Sequence, residues 1–198
     1  MKTLCALLIA FGMVLGFTTE AYSAYTYAYT SVDYPGAVQT WPLGINDSDH
    51  MVGGYQDAAG VHGFRYDGLQ TYTPLNYPAA TRTTAEDINR SGQIVGNYRD
   101  AHSGEHGFLY AEGTYTSLDY PDPTHVYTKA NSINNAGQVA GYYFTGPPNT
   151  YTLIYSYIYD SGTFTSLQYP NAVYTWAMGI NDAGQVVGYY SEPSALYS

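Results

Sequence analysis

The chain has 198 residues, 16 Asp+Glu against 6 Lys+Arg, and a formal net charge of −10. Bases this few, scattered along the chain, exclude a phosphate-tracking nucleic-acid surface and attraction to anionic lipid. The single cysteine, Cys5, falls in the leader segment, so the remainder can have no disulfide, thiolate metal site or cysteine nucleophile.

Residues 1–23 read as a secretory signal peptide. Lys2 gives a positive start, an apolar run extends from Leu4 to Phe17, and Ala21-Tyr22-Ser23 offers small residues at the cleavage positions. The run is shorter than the roughly 20 residues a membrane span needs. Cleavage is expected before Ala24, leaving residues 24–198 as a single domain with Arg65, Arg82, Arg90, Arg99 and Lys129 as its only bases. The expected location is secreted and extracellular, with the periplasm as the alternative. The final "PSALYS" carries neither an apolar span nor a basic cluster, so no membrane span is expected after cleavage.

From there the sequence repeats. Tyr-Pro occurs at Tyr34, Tyr77, Tyr120 and Tyr169, spaced by 43, 43 and 49 residues. Ile-Asn follows at Ile45, Ile88, Ile133 and Ile180, and then a small aliphatic residue with glycine at Gly53, Gly96, Gly141 and Gly188. Three landmarks in one order, four times, define repeats of approximately 24–57, 58–100, 101–145 and 146–190. Each repeat predicts four short strands, a to d. Strand a is "HGFRY" (His62–Tyr66), "HGFLY" (His106–Tyr110) or "YSYIY" (Tyr155–Tyr159). Strand b is "TYTSLDY" (Thr114–Tyr120) and its equivalents, ended by a proline that cannot continue a central ladder. Strand c runs from Thr40, Thr83, Thr128 or Thr175 to the Ile-Asn pair, and strand d from Gln93, Gln138 or Gln185 through the glycine to tyrosine. "INNAGQ" and "INDAGQ" between c and d suit a type I turn closed by a left-handed residue, with Asp49 standing where other repeats have glycine.

Four strands per unit at this period predict an all-β, propeller-like domain of four blades, strand d outermost. Strand a of the first repeat would fall inside the leader. The C-terminal segment supplies a replacement, Leu196-Tyr197 matching Leu109-Tyr110, so the ring is expected to close by a strand at Ala195–Tyr197 (segment 194–198) on Ala28–Tyr34.

The strings "HGFLYAEGTYTSLDYP" (His106–Pro121), "INRSGQIVGNYRD" (Ile88–Asp100) and "GINDAGQVVGYY" (Gly179–Tyr190) resemble the HAF-repeat family, probable extracellular repeat proteins of bacteria, with His-Gly-Phe replacing the family's His-Ala-Phe. The resemblance implies an exported bacterial protein with a propeller-like fold. It implies no reaction, cofactor or catalytic residue.

Candidate chemistry is sparse. His62 and His106 open strand a at equivalent positions and could face an axis as metal ligands, but the other repeats put Tyr155 and Pro193 there. Asp119, Asp122 and His125 gather carboxylates and an imidazole in one b–c loop, the expected site of a hydrolase or lyase if the chain is an enzyme. No G-x-S-x-G, P-loop or G-x-G-x-x-G occurs. Strand d carries a run of tyrosines: Tyr98, Tyr142, Tyr143, Tyr189 and Tyr190 are candidate platforms for a sugar face or partner surface, with packing between blades as the competing role. The leading expectation is a secreted, non-enzymatic binding or structural module for a carbohydrate or surface protein, with no metal and no cofactor. A hydrolase or lyase and a filament or assembly subunit are the alternatives.

Overall fold

The structure is a computed structural model describing residues 29–122, 125–146 and 153–192, and only the backbone of residues 125 and 126. Residues 1–23, and with them the expected signal peptide, lie outside the described residues, as do Ala195–Tyr197.

Fourteen strands and no helix make up the described chain. Among these residues no helix is long and apolar enough to cross a membrane. The first sheet orders β1 (Gln39–Ile45), β2 (Met51–Gln56), β3 (Val61–Tyr66) and β4 (Tyr72–Leu75). The second orders β5 (Arg82–Ile88), β6 (Ile94–Arg99), β7 (Glu105–Ala111) and β8 (Thr114–Leu118) in the same way. The third repeats that order in β9 (His125–Ile133), β10 (Val139–Thr145), β11 (Leu153–Asp160) and β12 (Thr163–Leu167). A last hairpin, β13 (Tyr174–Ile180) and β14 (Val186–Ser191), joins it through one parallel pair, Ile154 with Tyr174.

This order corrects the expected blade. Each sheet takes c and d from one repeat and a and b from the next. Strand d is therefore not outermost: it lies second, between c and a. The proline after strand b is the cause. It has no N–H for the ladder, so the chain leaves the sheet between b and c and begins the next one there. The d–a and a–b links instead return antiparallel within one sheet. Residues 29–34, expected to hold part of a strand, lie in no strand. Val32 is nevertheless buried against Met51, Tyr55 and Phe64 of the first sheet.

The c–d turns form as their sequence dictates. The fourth residue is left-handed each time, Asp49 at φ 59° and Gly92 at φ 83°, for example. The leading asparagine braces the loop: Asn89 Oδ1 accepts from Gln93 N (2.9 Å), and Asn89 Nδ2 donates to Gln93 Oε1 (2.7 Å). Such side-chain to backbone bonds favour asparagine in tight turns.

Sheets stack on one another through strand c. Val52, Leu75, Ala85, Ile88, Ile94 and Phe108 form the core between the first two. Val95, Leu118, Ala130, Ile133 and Val139 form the core between the second and third. Within each sheet a strand a aromatic lies over the glycine of strand d. A Cβ built on Gly96 would sit 2.7 Å from Phe108 Cζ, and one on Gly141 would sit 2.8 Å from the Tyr157 hydroxyl.

Candidate functional site

The Tyr-Pro tyrosines and the strand d tyrosines are each other's partners. Tyr34 stacks on Tyr55 and Tyr77 on Tyr98 at 3.6 Å, Tyr120 on Tyr143 at 3.8 Å, and Tyr169 on Tyr190 at 3.7 Å. In the complete sheets strand a covers the other side. Tyr98 is stacked on His106 at 4.9 Å and its hydroxyl meets Ser117 Oγ at 3.0 Å. Tyr143, only 4 % exposed, is stacked on Tyr155, and burial pushes its pKa up to about 12. Tyr142 is half-buried, with burial again raising its pKa to about 12. Tyr189 and Tyr190 differ: 54 % and 44 % exposed, they lie on β14, which among the described residues has no strand a beside it. Of the five candidate platforms, these two present open aromatic surface.

The acid–base cluster assembles differently from its order in sequence. Asp119 Oδ1 lies 2.8 Å from His106 Nδ1, and Asp119 Oδ2 accepts from Ser117 Oγ at 2.7 Å. On its other edge, His106 Nε2 lies 3.4 Å from Asp100 Oδ2. The antiparallel register of β7 and β8 places His106 beside Asp119. Asp122 N donates to Tyr120 O at 2.8 Å, closing a turn. The His125 side chain lies outside the described residues. Serine, histidine and aspartate are thus together, but Ser117 gives its proton to the carboxylate. A nucleophilic serine needs the imidazole as its base. His62 sits alike in the first sheet, Nδ1 3.1 Å from Asn76 Oδ1 and Nε2 3.3 Å from Asp57 Oδ1. Each histidine is held by its own sheet. Among the described residues no three His, Cys, Asp or Glu converge as a metal site would require.

This cluster has a pH signature. The bond to Asp119, then the charge of Asp119 and Asp100, raises the His106 pKa above its ordinary value, against the opposing effect of burial. The stabilisation is fully present below the unfolded value of about 6.5 and is lost as pH rises through the raised folded value. Asp100, held low first by Gly104 N, acts oppositely and loses its contribution only in acid, as pH falls through its folded value. The melting temperature is expected to fall as pH rises above about 6.5 and through the raised folded value, and to fall less in His106→Gln. Thermal melts across that range check it, and equal slopes would remove His106 as the origin.

The four c–d turns meet around one polar cavity of about 310 Å³, lined by Asn46, Asn89, Arg90, Asn134, Asn181 and their neighbours. The turn asparagines form a ladder across repeats. Asn46 Nδ2 donates to Asn89 O (3.0 Å), Asn89 Nδ2 to Asn134 O (3.1 Å) and Asn134 Nδ2 to Asn181 O (3.0 Å). Arg90 bridges to Asp47 with Nε at 3.0 Å and Nη2 at 2.6 Å, and Asn135 pairs with Asp182 at 2.8 Å. Each group is spent on its neighbour, so the ladder ties repeats together. Sequence reasoning saw these asparagines as turn formers and missed the ladder, because the partner is a whole repeat away.

An open apolar site surrounds Gly188. A cleft of about 420 Å³ is lined by Leu167, Tyr169, Trp176, Val186, Tyr189 and Tyr190, among others, with no charged side chain. In the first three sheets the corresponding glycine carries a strand a aromatic. At Gly188 the nearest atoms all belong to Trp176 and Ala177 of the neighbouring β13. Trp176 stacks on Tyr189 at 4.6 Å and forms the cleft wall. Among the described residues the arrangement offers an apolar, aromatic-lined socket beside a β14 edge that pairs with no strand, a geometry suited to binding. No protein-family model and no curated protein matches this chain, so its chemistry is read from this geometry alone.

Proposed function

We propose that the chain is a secreted, non-enzymatic binding module whose partner-recognition site is the Gly188 cleft with the free edge of β14. The carrying observation is the contrast among equivalent sheets: the glycine covered by a strand a aromatic three times has, among the described residues, no such aromatic over it at Gly188. Unpaired strand edges accept extended peptide by backbone hydrogen bonding, with alternate side chains setting specificity. This favours a protein partner over a glycan. The exposed rings of Tyr189 and Tyr190 keep a sugar-binding reading as the second choice.

Two further readings belong to this proposal. The convergence of four turns on one cavity supports four blades about a common axis, the last described as far as β14. The recurrent strings support membership of the HAF-repeat family and export from the cell.

The chain contains two tryptophans, so Trp41→Phe leaves Trp176 as a sole reporter in the cleft wall. A peptide with the β7 sequence Glu105–Ala111 carries an aromatic at the position that covers glycine. Titration with it is expected to shift Trp176 emission, and its Phe-to-Ala analogue to bind at least tenfold more weakly. A response to oligosaccharides but not to the peptide would favour the glycan reading. Silence towards both would overturn the site.

A further inference from the structure

We infer that the free edge of β14 pairs with the same edge of a second copy of this chain, antiparallel across a two-fold axis at Tyr189. The inference rests on the strand-accepting site proposed above and names its occupant.

The argument is one of register and continuity. In the third sheet, Gly141 of β10 faces Tyr157 of the antiparallel β11. Among the described residues, the ladder that continues from d to a in three sheets stops at β14. Paired antiparallel residues project to the same face, as do residues two apart on one strand. A two-fold at Tyr189 therefore sets Tyr190 of each copy opposite Gly188 of the other. Each chain then puts an aromatic on its partner's glycine socket, as Tyr157 does on Gly141 within the chain. Tyr189 faces Tyr189, a favourable cross-strand aromatic pair. Val187 faces Ser191, covering a valine that is 68 % exposed.

Charge permits this contact. The chain carries a net −10, yet β14 reads Val-Val-Gly-Tyr-Tyr-Ser, with no ionisable carboxylate or base. In the stated register Glu192 falls opposite Val186, not opposite its own copy, so no like charges are paired.

The rival occupant is the chain's own segment 194–198. The repeat register that matches Leu196-Tyr197 to Leu109-Tyr110 would set Ala195, which has no ring, opposite Gly188. It would also make Ser191 and Glu192 cross-strand partners, although they are adjacent in sequence. A two-fold copy meets neither obstacle.

The test uses the full chain carrying Cys5→Ser, which removes the only cysteine. Sedimentation over a hundredfold range of concentration is expected to show a monomer–dimer equilibrium. Tyr189→Lys, which sets like charges face to face at the axis, is expected to raise the dimer dissociation constant at least tenfold. Tyr189→Cys is expected to form a covalent dimer under mild oxidation. Val187→Cys is not, because its partner is Ser191. A parent chain that stays monomeric throughout overturns the inference, whatever the variants do, and equal cross-linking of the two cysteine variants overturns the register. A monomer whose Trp176 still responds to the β7 peptide would overturn the pairing alone and leave the strand-accepting site standing.

Discussion

Phe108→Ala is expected to destabilise the domain by about 3–5 kcal/mol, the range for deleting a fully buried aromatic side chain. Phe108 has no exposed surface and packs with Val52, Leu75, Ala85, Ile88 and Ile94 between the first two sheets. Its edge-to-face partner Tyr115 lies at 5.4 Å, and Gly96 lies beneath the ring. Alanine would leave a void bounded by a glycine, which has no side chain to move into it, so collapse cannot recover the loss. For a domain of this size each kcal/mol lowers the melting temperature by about 2–4 °C, which gives a fall of about 6–20 °C. Leu69→Ala, at an 83 % exposed loop position, is expected to leave the melt almost unchanged. A thermal scan of both variants decides the matter. A fall of less than about 2 °C in Phe108→Ala would contradict the view that aromatic-on-glycine packing holds the sheets together.

The parts of this architecture legible in the sequence are those fixed by local chemistry. Asparagine first and glycine fourth specify the c–d turn because Asn89 Oδ1 and the left-handed Gly92 act within five residues. Strand identity was legible from the same short strings. The phase of the repeat was harder to read, because a period says that a unit recurs without saying where a sheet begins. The prolines after Tyr34, Tyr77, Tyr120 and Tyr169 carried that information, since a residue that cannot extend a ladder marks the passage between sheets. Nearness along the chain groups Asp119 with His125, yet hairpin register brings it to His106 instead. Tyr143 and Tyr190 occupy equivalent positions with opposite exposure, because among the described residues a strand a lies alongside Tyr143 and none lies alongside Tyr190. No property of the tyrosine itself encodes that difference.

Gly141→Ala is expected to damage the fold severely for so small a change. Its new methyl would meet the Lys129 carbonyl oxygen of β9 and lie 2.8 Å from the Tyr157 hydroxyl of β11. Neither neighbour can yield cheaply. The carbonyl belongs to the paired backbone of β9, and Tyr157, fully buried, donates its hydroxyl to that same oxygen at 3.0 Å. Overpacking of this kind costs about 1–3 kcal/mol, and stranding a buried hydroxyl adds about 1–3 kcal/mol. The combined loss of about 2–6 kcal/mol reaches the whole stability of a marginal domain. Gly113→Ala provides the contrast: open space surrounds it, so only the left-handed φ of 81° is penalised, at about 1–2 kcal/mol. Gly188→Ala separates the two causes further, since its methyl would meet the Trp176 backbone but no aromatic of a strand a. Urea midpoints are expected to fall most for Gly141→Ala and less for Gly188→Ala, the difference being the share owed to the ring above the glycine. Equal falls at the two positions would show that close backbone approach alone requires glycine there.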